Sequence, residues 1–115
     1  MSLISFKISA QTDILGKWKT IDDETGKAKS IVEIYMKDGK AYGEIIKLFR
    51  APNEEKDPIC DKCSDYRKDK KIIGMTIITA MEKDEDEWED GEILDPNNGK
   101  VYDCKLWVED GKLQV

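Results

Sequence analysis

Apolar and polar residues alternate with a period of two along most of this chain, and turn-forming residues break the alternation at short intervals. That period marks a β-strand with one face buried. From Lys100 to Val108 the even positions are Tyr102, Cys104, Leu106 and Val108, against Val101, Asp103, Lys105 and Trp107 on the odd side, so the even face is expected inside. Val32, Ile34 and Met36 play the same part opposite Glu33 and Lys37. Seven strands are expected: Gly16 to Ile21, Ala28 to Lys37, Lys40 to Phe49, Ile72 to Met81, Trp88 to Leu94, Lys100 to Val108 and Lys112 to Val115. Turn signals fall at Glu24 to Lys27, Lys37 to Lys40, Glu89 to Glu92, Pro96 to Gly99 and Glu109 to Lys112. Their Asp-Gly and Asn-Gly pairs tolerate the positive φ that tight hairpins need. The only helical signal is one turn at Thr12 to Leu15, with Thr12 as its cap. The pattern predicts an all-β fold, an antiparallel up-and-down meander.

Two segments depart from the alternation. Ile72 to Ile78 is apolar on both faces, as expected of a strand covered on each side, by the core and by a long loop or a partner chain. That loop, Arg50 to Lys71, holds Pro52, Pro58, Cys60 and Cys63. A connection longer than about 15 residues is uncommon in a compact domain and often functional. At the other extreme, Met1 to Gln11 reads as an added start followed by the apolar tail and small-residue cleavage region of a secretory signal, with an ordinary N-terminal strand or arm as the alternative. The expectation is a single barrel domain over residues 12–115, periplasmic or secreted.

Composition narrows the chemistry. The chain has 115 residues and no His, which removes Ser-His-Asp, Cys-His and His-ligated metal arrangements. Its longest uncharged apolar run, Ile72 to Met81, is far shorter than the ~20 residues of a membrane helix, so no transmembrane segment is expected. Lys and Arg number 19 against 25 Asp and Glu, and the only arginines are Arg50 and Arg67, which disfavours nucleic acid as a partner.

The net charge of −6 is local. Glu82 to Glu92 holds eight acids and one base, leaving +1 for the remaining residues. Such a run usually forms a solvated hairpin tip. A helix-loop-helix calcium template started at Asp86 places Trp88 in a ligand slot and Asn97 where Glu is required, so it fails.

Cys60-Asp61-Lys62-Cys63 has three readings. A redox pair needs a helix start to lower the thiol pKa, and Ser64 to Lys71 shows no amphipathic helix. A zinc site needs four ligands, which here would require Cys104 and a carboxylate such as Asp61. A local disulfide shaping the long loop is the third, favoured in an exported protein, with Cys104 a buried free thiol.

Gly16-Lys17-Trp18 resembles the G-x-W signature of lipocalins and related calycin barrels, in which a Trp closes the base of an eight-stranded barrel around a small apolar ligand. With Tyr42 to Leu48, Cys60 to Cys63, Ile73-Gly74-Met75 and Leu94 to Tyr102, the chain resembles a bacterial family of exported lipocalin-like proteins known as a domain of unknown function. The resemblance covers Ile14 to the end. It implies a lipocalin-like barrel, and it implies one or two further strands past Val115, without which the barrel is left open. Open edges invite a homodimer or a strand-swapped assembly.

For function, the resemblance implies non-enzymatic binding of a small apolar or amphipathic ligand, with Trp18, Tyr35, Tyr42, Met75, Tyr102 and Trp107 as the expected interior lining. No cofactor and no metal are expected. The competing reading is a barrel filled by its own side chains that serves as a cell-envelope interaction module through the Cys60 to Cys63 loop or the acidic hairpin. An enzyme comes third, since no carboxylate pair or nucleophile with a base stands out.

Overall fold

A computed structural model describes residues 4–7, 14–22, 24–109 and 111–114, with the backbone alone for 4–7. Eight antiparallel strands follow one another around the sheet: β1 (Ile4–Lys7), β2 (Gly16–Ile21), β3 (Ala28–Lys37), β4 (Lys40–Leu48), β5 (Thr76–Asp84), β6 (Glu87–Asp95), β7 (Lys100–Glu109) and β8 (Lys112–Gln114). Each pairs with the next, and β8 returns to β1, so the sheet closes into a barrel. The up-and-down meander with a lipocalin-like barrel is what the alternation and the G-x-W resemblance implied.

Closure depends on β1. It meets β2 over four residue pairs, Ile4 to Lys7 against Ile21 to Trp18, but meets β8 only at Ser5↔Leu113 and Phe6↔Lys112. The free edges expected between the first and last strands therefore carry β1, and the β8–β1 junction is the thinnest in the ring. This strand lies inside the segment read as a leader remnant. The helical turn expected from Thr12 falls partly outside the described residues, and Ile14 and Leu15 are not helical.

The inward parity is the one expected except at Met36, which was expected inside with Val32 and Ile34 but is 44% exposed near the end of β3. Ser30, Val32 and Ile34 are buried along β3 while Ile31, Glu33 and Tyr35 are only partly covered. In β7 Leu106 is fully buried, with Cys104, Tyr102 and Val108 packed against the core from partly covered positions. Trp18, Ile34, Ile78, Met81, Ile93, Leu106 and Leu113 fill the lower barrel, each at most 2% exposed. Burial of a side chain of that size contributes about 2–3 kcal/mol, so this half of the barrel is a packed core.

Two expectations at the strand ends are corrected. Glu89 to Glu92 is not a turn: it lies within β6, where Asp90 takes φ 63° at a break in register with β7. A Cβ on Gly91 would collide with the Thr79 carbonyl and the Met81 sulfur, so the Asp-Gly pair serves a bulge and a close approach. The hairpin turns instead at Glu85 and Asp86. The strand expected from Ile72 begins only at Thr76, because Gly74 at φ 91° turns the chain into the barrel wall. There the Gly74 N–H donates to the Ile45 carbonyl (2.6 Å) and the Ile45 N–H to the Met75 carbonyl (3.0 Å).

The long loop folds back on itself. Ile59 bridges Lys71, the Cys60 N–H donates to Lys70 O (2.8 Å), and the Ile72 N–H donates to Pro58 O (3.0 Å). Arg67, only 7% exposed, holds Asp65 through both carboxylate oxygens and donates to the Thr76 carbonyl (2.9 Å), which ties the loop to the start of β5. The guanidinium holds the Asp65 carboxyl below its ordinary value. The loop also sits directly on the β6–β7 turn, where a Cβ on Gly99 would fall on the Lys62 carbonyl.

Gly99 (φ 73°) and Gly26 (φ 71°) share one backbone conformation, but nothing lies near a Cβ built on Gly26. Gly26→Ala is expected to cost only the left-handed penalty of about 1 kcal/mol. Gly99→Ala is expected to cost about 2 kcal/mol more, because the Lys62 backbone must move. Urea unfolding of the two variants checks this, and equal losses would show that the loop does not bear on the turn.

Candidate functional site

One end of the barrel is open. A cavity of about 910 Å³ lies there, bounded by the ends of β2, β4 and β6, the beginnings of β3 and β5, the loop from Arg50 to Glu54, Ile72, and the β6–β7 turn. Buried Val32, Ile45, Ile77 and Leu94 give it an apolar lining, joined by Leu48 and Ile72 from positions packed against the core. The volume is that of a small-molecule pocket.

Local hydrogen bonds hold the rim. The Asp22 carboxylate accepts the N–H groups of Glu24 (2.8 Å) and Thr25 (3.3 Å), which keep its carboxyl below its ordinary value. Across the mouth, Glu54 accepts the Ala51 N–H (2.7 Å), and Lys56 reaches the Ala51 carbonyl (2.8 Å). The rim cations Lys27, Lys29 and Arg50 are matched in number by Asp22, Glu24 and Glu54.

Three polar side chains in the lining are more than nine-tenths buried: Thr20 (3% exposed), Ser30 (7%) and Asp95 (9%). Thr20 and Ser30 face one another across the β2–β3 pair, their hydroxyl oxygens 2.6 Å apart. Asp95 ends β6, and its Oδ1 accepts the Asn97 N–H (2.9 Å). None of the three was singled out from the sequence. The available signal was parity: Thr20 shares the inward face with Trp18, and Ser30 with Val32 and Ile34, so each is a polar residue on an otherwise apolar face.

None of the six aromatic and Met residues expected as lining borders this cavity. Trp18 is fully buried, and its Nε1 donates to the Ile14 carbonyl (2.7 Å). Tyr35 and Tyr42 stack with ring centroids 6.2 Å apart, on the face opposite buried Ile34 and Ala41. Met75 belongs to the core, 5% exposed. The Tyr102 hydroxyl accepts from Asn98 Nδ2 (3.1 Å), and Trp107 Nε1 lies 3.4 Å from Glu109 Oε2. These aromatics fill or cover the barrel wall.

Cys60 and Cys63 form a disulfide, and both are buried. Among the described residues no cluster of three acids or cysteines could hold a metal ion. The acidic hairpin stands at the other end of the barrel, where the registers Glu82↔Glu89 and Asp84↔Glu87 set like charges side by side. A side-chain hydrogen bond in which protonated Glu89 donates to Asp84 raises the carboxyl of Glu89 above its ordinary value. Cys104 borders a second, shallower hollow of about 590 Å³ with Glu89, Asp90, Glu92, Asp103 and Lys105.

Comparison with known proteins places the chain. A family described as uncharacterized protein conserved in bacteria (DUF2147) matches residues 16–115, and the chain belongs to it. No curated protein matches. Among solved structures the chain is similar to protein HP1028 from the human pathogen Helicobacter pylori, described as belonging to the lipocalin family. The TM-score is 0.70 at 17% identity, over 87% of this chain and 67% of that one, a likeness of fold.

Burial, with Asp103 and Glu92 nearby, pushes the Cys104 thiol up to about 11. At pH 8 roughly one such thiol in a thousand is ionised. Iodoacetamide is therefore expected to alkylate native Cys104 slowly at pH 8, faster by about tenfold per pH unit until pH nears 11, and rapidly once the chain is unfolded. Cys104, expected to be buried, is half-buried, and native labelling at pH 8 as fast as free cysteine would contradict even that partial burial.

Proposed function

We propose that this member of the family is a non-enzymatic carrier of a small amphipathic ligand, held at the open end of its barrel. The observation that supports the reading is the 910 Å³ cavity itself, with buried Val32, Ile45, Ile77 and Leu94 in its lining and a charged rim of Lys27, Lys29, Asp22 and Glu24. A preformed hollow of this kind binds an alkyl chain without reorganising the wall, and its rim leaves a polar head in contact with water. The packed lower half, sealed by Trp18 and its neighbours, gives the site one entrance.

Export is part of the proposal. The Cys60–Cys63 disulfide supports it, since such bonds persist in oxidising compartments. The narrow β8–β1 junction is where a strand of a second copy would enter if the protein dimerises by exchange. A second reading, an interaction module, draws on the same loop, where Tyr66 is 73% exposed and Ile59 47%.

Calorimetric titration with decanol separates the two readings. The carrier reading predicts saturable binding and, at about 100 times the dissociation constant, a gain of about 2.7 kcal/mol in stability. Leu48→Trp, which places a larger side chain in the wall of the cavity, is expected to weaken binding by at least about tenfold while the fold is kept. No saturable heat with the native protein, or unchanged affinity in Leu48→Trp, would overturn the carrier reading.

A further inference from the structure

Asp95 is a buried carboxylate with an incomplete set of partners. It is 9% exposed, its Oδ1 accepts the Asn97 N–H, and among the described residues no Lys or Arg lies within ion-pair distance and no donor reaches Oδ2. Buried carboxylates are ordinarily paired or fully hydrogen-bonded, because leaving an acceptor dry is costly. This one borders the cavity.

The hydroxyl pair has the same character. The geometry lets the Ser30 hydroxyl donate to Thr20 Oγ1 (2.6 Å) while the Thr20 hydroxyl donates to the Ser30 carbonyl (3.4 Å). One of the two protons is held within the pair, and both hydroxyl oxygens keep lone pairs for a ligand. The buried polar groups of the lining thus each offer acceptor lone pairs, the Asp95 carboxyl foremost. The exposed rim does not reverse this, since Lys27, Lys29 and Arg50 are offset by Asp22, Glu24 and Glu54.

We infer that the cavity selects amphiphiles whose head donates hydrogen bonds, an ammonium ahead of a hydroxyl, and rejects carboxylates, with Asp95 as the residue that sets this preference. The inference rests on the carrier reading and adds the chemistry of the ligand's head. An ammonium offers three donors and the opposite charge, a hydroxyl offers one donor, and a carboxylate offers none and is repelled. The alkyl chain lies against Val32, Ile45 and Ile77 in each case, so chain length alone does not distinguish the three.

Calorimetric titration of the whole protein with decylamine, decanol and decanoate tests this, because the three share one chain. Decylamine is expected to bind tightest, and decanoate at least about tenfold more weakly than decylamine. Asp95→Asn keeps an oxygen for the Asn97 N–H, removes the charge and turns the free acceptor Oδ2 into an amide donor. In that variant decylamine is expected to weaken by about tenfold and decanoate to tighten, with decanol changed least. Thermal unfolding of Asp95→Asn close to that of the native protein shows that the turn survives. Equal binding of all three heads by the native protein, or the same ranking in native and Asp95→Asn protein, overturns the inference and leaves the carrier reading standing. Failure of all three to saturate overturns the carrier reading, and the inference with it.

Discussion

Closing the sheet fixes the cross-section of this protein's interior, and every later feature follows from which side chains occupy it at each level. A barrel of eight strands is just wide enough to be filled by large side chains or, where they are small, to hold one small ligand. Here the levels differ. Trp18, Met81, Leu106 and Leu113 are at most 1% exposed and leave no room. Towards the other end Thr20, Ser30 and Val32 leave space beside Ile45, Ile77 and Leu94, and the same ring of backbone encloses a hollow. The ring is completed by the four-residue β1, so the cross-section depends on a short strand held to β8 by two residue pairs.

The long loop completes the hollow from the side. A disulfide with two residues between its cysteines stabilises the whole protein little, since the loop it closes is small. Its effect is local shape: Cys60 and Cys63 are buried, Lys62 presses its carbonyl against Gly99, and the turn so fixed carries Pro96 and Asn97 into the cavity wall. Arg67 anchors the far side of the loop to β5. Disulfide, buried arginine and glycine contact thus act on one task, the placement of the β6–β7 turn beside Asp95.

Much of the fold was legible because period-two alternation reports directly on a half-buried sheet. β2 and β3 match the expected strands end to end, β4 and β7 differ by one residue at one terminus and β6 by one at each, and β8 begins where expected, its expected last residue Val115 lying outside the described residues. What was not legible has physical causes. The Asp90-Gly91 pair has the chemistry of a turn and of a bulge alike, and only the neighbouring strands decide between them. Gly74 ends an apolar run whose composition alone reads as strand. The β1 strand was hidden because a short apolar segment with small residues reads equally well as a leader.

The site was less legible than the fold. Inward aromatic residues suggest a ligand-lined interior, but in a barrel of this size a large ring fills the space it points into. Trp18 is the clearest case, expected in the lining and found in the packed core. Thr20 and Ser30 mark the hollow better, because a hydroxyl on an inward position is both small and polar.

The upper barrel is a preformed hollow lined by Val32, Ile45, Ile77 and Leu94, and not a plugged core. A crystal structure of the protein grown with decanol tests it most directly. Alkyl density is expected against those four side chains, with Trp18 and the lower core unmoved. An upper barrel closed by its own side chains, with decanol absent or bound only on the outer face, would contradict it.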